Sequence, residues 1–94
     1  MIVRAQIERK LIDGLAPLRL DIQDDSARHR GHSGSSDEGE THFTIEVVSP
    51  QFEGKGLVVR QRMVYDLLAE EMRTRVHALT LSTLTPIEDA RRNR

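Results

Sequence analysis

Apolar side chains recur along this chain in two different periods. In residues 2–14, Val3, Ile7, Leu11 and Leu15 return every fourth position, while Arg4, Glu8, Arg9 and Asp13 point elsewhere. That spacing predicts a helix with one buried face. Gly14 suits its end, and Pro17 prevents its continuation. The period then falls to two. Leu18-Arg19-Leu20-Asp21-Ile22 alternates and predicts a first strand over 18–22, ended by Asp24-Asp25-Ser26. A second alternating run over 42–49 buries Phe43, Ile45 and Val47 and turns out His42, Thr44 and Glu46. Helical spacing returns over 59–72, with Met63, Val64, Leu67, Leu68 and Met72 on one side. A third strand is expected at about 76–84. His77 there shares a face with Leu79 and Leu81, which places it at the rim of the core.

The punctuation between these runs is also informative. Ser49 is a suitable N-cap and Pro50 fits a first helical position, so one short helical turn should follow the second strand. Gly54 and Gly56 then break the chain before the long helix. Glu70 and Glu71 fall near the far end of that helix, where its dipole disfavours them, although Arg73 and Arg75 follow. Thr85-Pro86-Ile87-Glu88 is a strong start signal for a last short helix. Residues 26–40 are rich in Gly, Ser and charge and nearly free of apolar side chains. They cannot bury enough surface to offset their ordering entropy, and they predict a long mobile loop carrying His29 and His32. The basic end, 91–94, should fray.

The resulting order is α-β-β-α-α-β-α. The economical arrangement is a three-stranded mixed sheet with helices on one side, an α+β fold. The first two strands pair antiparallel, and the long helix allows a parallel crossover to the third. This is the order of a class II KH-like fold.

Composition narrows the function. Ninety-four residues make one domain, 1–94, with a single small core. Aromatic content is 3%, so the core must be aliphatic. A net charge of −1 exerts no global pull toward nucleic acid or membrane. No apolar run approaches the length of a signal peptide or a membrane span, and a soluble cytoplasmic protein is expected. There is no cysteine, hence no disulfide, thiol nucleophile or thiolate ligand. No Ser-His-Asp set, phosphate-binding glycine motif or HExxH is present, so an enzyme is not expected. The histidines are the remaining metal-capable groups, but His29, His32 and His77 have no recognisable zinc spacing. His42 reads as a strand residue on the exposed or half-buried face, with metal binding a minor alternative.

The turn Glu53-Gly54-Lys55-Gly56-Leu57 offers Gly-Lys-Gly where a KH domain uses GXXG. The three aromatics, Phe43, Phe52 and Tyr65, make no stacking platform, since Phe43 at least belongs to the core. Lys55, Arg60 and Arg62 could still touch phosphates or a partner from this turn and helix start, although a solvated helix start is an equal reading.

Several blocks, taken in order, resemble the BolA family over roughly residues 3–90. They are Leu15-Ala16-Pro17-Leu18, Asp25-Ser26 with His29, and Glu40-Thr41-His42-Phe43. Then come Val48-Ser49 with Phe52-Glu53-Gly54, Arg60-Gln61-Arg62-Met63-Val64-Tyr65, Leu68-Ala69-Glu70-Glu71, Val76-His77-Ala78-Leu79 and Thr85-Pro86. One departure is Gln61, where the family usually has histidine. The resemblance implies an accessory protein, monomeric alone or a weak homodimer, that pairs with a monothiol glutaredoxin. The pair would share a [2Fe–2S] cluster with glutathione. It also implies links to stress response and transcription regulation, with DNA binding as the alternative function. By motif, His77 carries over as the histidine at the start of the third strand. His29 carries over as the ligand position of the variable loop, with His32 a weaker neighbour. Two histidines can hold one iron of such a cluster while thiolates hold the other, as in Rieske centres. This chain has no thiol, so given a cluster, a partner must complete it.

Overall fold

The computed structural model describes residues 2–25 and 41–92. The expected loop over 26–40, with His29 and His32, lies outside the described residues, as does the end of the basic tail. The elements are α1 (Ile2–Leu15), β1 (Arg19–Asp24), β2 (His42–Val48), a 3-10 turn (Pro50–Phe52), α2 (Leu57–Leu67), α3 (Ala69–Thr74), β3 (Ala78–Leu84) and α4 (Pro86–Arg92). The three strands form one sheet in the order β1-β2-β3. β1 and β2 run antiparallel, from Arg19↔Val48 to Asp24↔Phe43. β2 and β3 run parallel, from His42↔Ala78 to Val48↔Leu84. This is the expected α+β architecture, a three-stranded mixed sheet with helices.

The core follows from the two periods. Val3, Ile7, Leu11 and Leu15 of α1 pack against Phe43, Ile45 and Val47 of β2, with Ile22, Val64, Leu68 and Val76. Phe52 is fully buried, so the 3-10 turn is anchored by its last side chain. Ser49 is fully buried as well. Its hydroxyl donates to Leu15 O at 2.6 Å and accepts from Gln51 N–H at 3.1 Å. One side chain thus caps the turn and fastens the end of α1 to the sheet, which leaves no polar group of its own unsatisfied.

Four local expectations change. Gly14 lies inside α1, which runs to Leu15, and Ala16 turns the chain with a φ of 44°. The role of Gly14 is close approach: a Cβ there would stand 2.6 Å from Leu67 Cδ2 of α2. β1 begins at Arg19 and extends to Asp24, because pairing with β2 carries the ladder two residues past Ile22. The long helix begins at Leu57 and is interrupted at Leu68, whose φ and ψ are −102° and 17°. The hydrogen bonds Leu68 N to Val64 O and Met72 N to Leu68 O continue on either side. Glu70 and Glu71 therefore sit in the first turn of α3, the end that favours negative charge. Glu71 is buried and receives Lys10 Nζ at 2.7 and 2.9 Å, joining α3 to α1.

α4 is held from both directions. Asp89 and Glu46 each accept from Arg19 at 2.6 Å, and Arg92 reaches Glu46 at 2.7 Å. These pairs hold the Glu46 carboxyl below the ordinary range, Arg92 first and Arg19 second, and keep Arg19 more firmly protonated. Among the described residues, no helix is long and apolar enough to cross a membrane.

Candidate functional site

A parallel pair of strands puts both N-terminal ends at the same edge of the sheet. Here a histidine opens β2 and another stands just before β3. The Thr41 carbonyl ties the two ends together, accepting His77 N–H at 2.8 Å and Ala78 N–H at 3.2 Å. The His42 and His77 rings lie 6.3 Å apart, centre to centre, and cross at 74°. His42 Nδ1 is 2.9 Å from Thr41 Oγ1. His42 is half-buried, whereas His77 is exposed.

His77 is therefore not at the rim of the core with Leu79 and Leu81. The parallel ladder starts at Ala78, paired with His42. Residue 77 lies in the bend before it, where strand alternation does not yet apply. Val76 is the buried residue of this entry, and its N–H bonds to Glu71 O. The burial of Val76 and the exposure of His77 together aim the imidazole outward. His42 is a half-buried strand residue, in keeping with its sequence pattern. The parallel register pairs His42 with Ala78, which sets the residue just before β3 beside the start of β2.

Among the described residues, no group of three or more His, Asp or Glu is gathered as a metal site. The expected loop ligands His29 and His32 lie outside the described residues.

The three basic residues offered as contacts separate. Lys55 and Arg62 are exposed. Arg60 is only 7% exposed. It donates to Lys55 O at 2.8 Å, to Thr83 O at 3.0 Å, and to the two Glu88 oxygens at 2.6 and 3.2 Å. Its guanidinium also lies 6.0 Å from the centre of the Phe52 ring. Arg60 is thereby withdrawn from the contact surface: its planar fork fits carbonyls and a carboxylate that the fold already presents. Glu88 in turn completes the capping box, accepting Thr85 N–H at 2.9 Å while its own N–H donates to Thr85 Oγ1 at 3.2 Å. The Arg60 guanidinium, followed by the Thr85 amide, lowers the Glu88 carboxyl from 4.5 to about 2. Leu57, Val58 and Val59 follow Lys55 as three successive exposed apolar residues.

The strand order, the crossover and the strand-end histidine define a small α+β domain of the KH-like kind. The chain belongs to the BolA family: the model described as BolA-like protein matches residues 11–88. The chain is 44% identical over 86 residues to Protein BOLA1, chloroplastic, of Arabidopsis thaliana, covering 89% of this chain and 54% of that protein. It is 44% identical over 85 residues to the DNA-binding transcriptional regulator BolA of Escherichia coli, covering 90% of this chain and 77% of the relative. The solved structure of BolA1 from Arabidopsis thaliana superposes with a TM-score of 0.79 at 45% identity, over 89% of this chain and 92% of that one. The chain thus spans about half the length of the chloroplastic relative. That relative's name places family members outside the cytoplasm as well, so family membership does not carry the expected cytoplasmic location.

Proposed function

We propose that this protein is an accessory protein, not an enzyme, which pairs with a monothiol glutaredoxin and shares a [2Fe–2S] cluster with it and with glutathione. Its role would be cluster trafficking or iron- and stress-linked regulation. The observation that carries this reading is the exposed His77 imidazole, held at a sheet edge by its own backbone in a chain without cysteine. The residues fit the group: imidazole is an accepted ligand for one iron of such a cluster, and the thiolates must come from a partner. His77 would be the fixed ligand, and His29, or more weakly His32, the second. The cluster, when bound, would supply redox and transfer chemistry. The protein's part is to present nitrogen donors from a rigid edge.

The test is co-purification with a monothiol glutaredoxin and glutathione, followed by visible circular dichroism of the wild type, His77→Ala and His29→Ala. The mixed complex should change its spectrum most on loss of His77. Identical spectra for all three would overturn the reading.

A second reading is DNA binding, favoured by exposed Lys55 and Arg62 beside the turn and by the printed name of the Escherichia coli relative. It expects a steep loss of affinity between low and moderate salt in a gel shift, with Lys55→Ala and Arg62→Ala flattening the slope. Binding that ignores salt would count against it.

A further inference from the structure

We propose that the outer edge of β3 pairs antiparallel with β3 of a second copy of this chain. β3 lies at one side of the sheet, and among the described residues no strand pairs with its far edge. Printed hydrogen bonds give the direction of its backbone groups. Ala78 N–H donates to Thr41 O, and Leu84 O accepts Ser49 N–H, so both residues address the β2 side. Alternation then turns the backbone groups of Leu79, Leu81 and Thr83 the other way. Thr83 agrees: its carbonyl accepts Arg60 Nη1 at 3.0 Å, from outside the sheet. Leu79 and Leu81 therefore present their N–H and C=O groups along an edge that can template a further strand.

The two edges of the sheet differ in charge. β1 carries Arg19, Asp21 and Asp24, the kind of residue by which natural edges resist pairing. Between Arg75 and Glu88 there is no Asp, Glu, Lys or Arg, in a chain that is 31% charged. β3 has no proline either. An antiparallel copy of β3 thus meets it without a like-charge contact, and a two-fold axis makes one edge complementary to itself. An uncharged edge offers no electrostatic selection of a foreign strand.

Arg60 sets the register. Its guanidinium holds the Thr83 carbonyl and closes the ladder at that end. The axis then passes beside Thr80, with Leu79 opposite Leu81 of the second copy and Leu81 opposite its Leu79. Thr80 stands opposite itself as a non-hydrogen-bonded pair, where side chains come closest. Thr80 is exposed and pairs with Thr44 on the face away from Phe43 and Ile45, so a substitution there leaves the core alone. A pairing this short buries less than the roughly 1,200–2,000 Å² of a stable interface, so the dimer is weak and concentration-dependent.

The experiment is sedimentation equilibrium of the full chain alone, from about 10 μM to about 1 mM, a range that spans weak affinities. The wild type should pass from monomer to dimer. Over the same range the Leu79 and Leu81 amides should slow their hydrogen exchange, and no β1 amide should. Thr80→Lys and Thr80→Glu should each raise the dimer Kd at least about fivefold, the upper scale for a cross-strand pair. Thermal unfolding of each variant at low concentration should match the wild type. Mixed in equal amounts, the two variants should associate more tightly than either does alone. A wild type that stays monomeric at the top concentration would overturn the proposal, including the case in which the edge takes an extended peptide of another protein. So would a Thr80→Lys dimer as tight as the wild type, a mixture no tighter than its components, or protection at β1 instead. No glutaredoxin is present, so none of these outcomes bears on the cluster reading.

Discussion

The corner around Arg60 and the strand ends around His77 are both polar, and they are built on opposite plans. At the corner, each charged group has a fixed internal partner: two carbonyls and a carboxylate take the guanidinium, and the carboxylate also closes the helix cap. At the strand ends the backbone is equally well tied, and the His77 side chain stands exposed to solvent. The first arrangement resists change because removing any member strands the others. The second fixes the backbone beneath an exposed side chain. Charge in sequence therefore does not by itself identify a contact surface, as the burial of Arg60 shows.

Substitutions should separate the two regions. The largest effect is expected from Arg60→Ala, which leaves the Lys55 and Thr83 carbonyls without its guanidinium and leaves Glu88 with only its Thr85 capping bond. A loss of about 2–3 kcal/mol follows from stranded buried polar groups. In a domain of this size that is a fall in Tm of roughly 10–20 °C. Thermal unfolding by circular dichroism would measure it, and an unchanged Tm would erase the contrast. A smaller and pH-dependent effect is expected from Glu88→Gln. The folded-state carboxyl lies at about 2 against an ordinary 4.5, so folding favours its ionised form. That stabilisation is fully present above about pH 5 and disappears as the pH falls toward 2. The wild-type stability curve should decline through this window, and the variant should decline less. A variant as pH-sensitive as the wild type would show that other carboxylates carry the dependence. The smallest stability change is expected from His77→Ala, within about 0.5 kcal/mol for an exposed side chain. A much larger loss would make His77 a structural residue and break the comparison from the other side.

The same contrast separates what is legible in the sequence from what is not. Alternation in Phe43-Thr44-Ile45-Glu46-Val47 and the four-residue spacing from Val3 to Leu15 report local geometry, and both elements form where they are expected. The caps at Ser49 and Thr85 are local too, and both form their predicted hydrogen bonds. The exceptions depend on distant neighbours. Arg60 is buried because Thr83 and Glu88 arrive from more than twenty residues away. Gly14 is required by Leu67, and Glu71 finds Lys10 across sixty-one positions. The motif singles out His77 in the sequence, but its exposure depends on where the parallel ladder begins. The approach of the His42 and His77 rings depends on how β2 and β3 pair, which alternation within one strand cannot express.

One small feature has wider reach than its size suggests. A single carbonyl, that of Thr41, receives two consecutive amides, those of His77 and Ala78. The place where the chain turns from the buried Val76 into the sheet is thus pinned by main-chain hydrogen bonds, and the His77 side chain inherits its position from them.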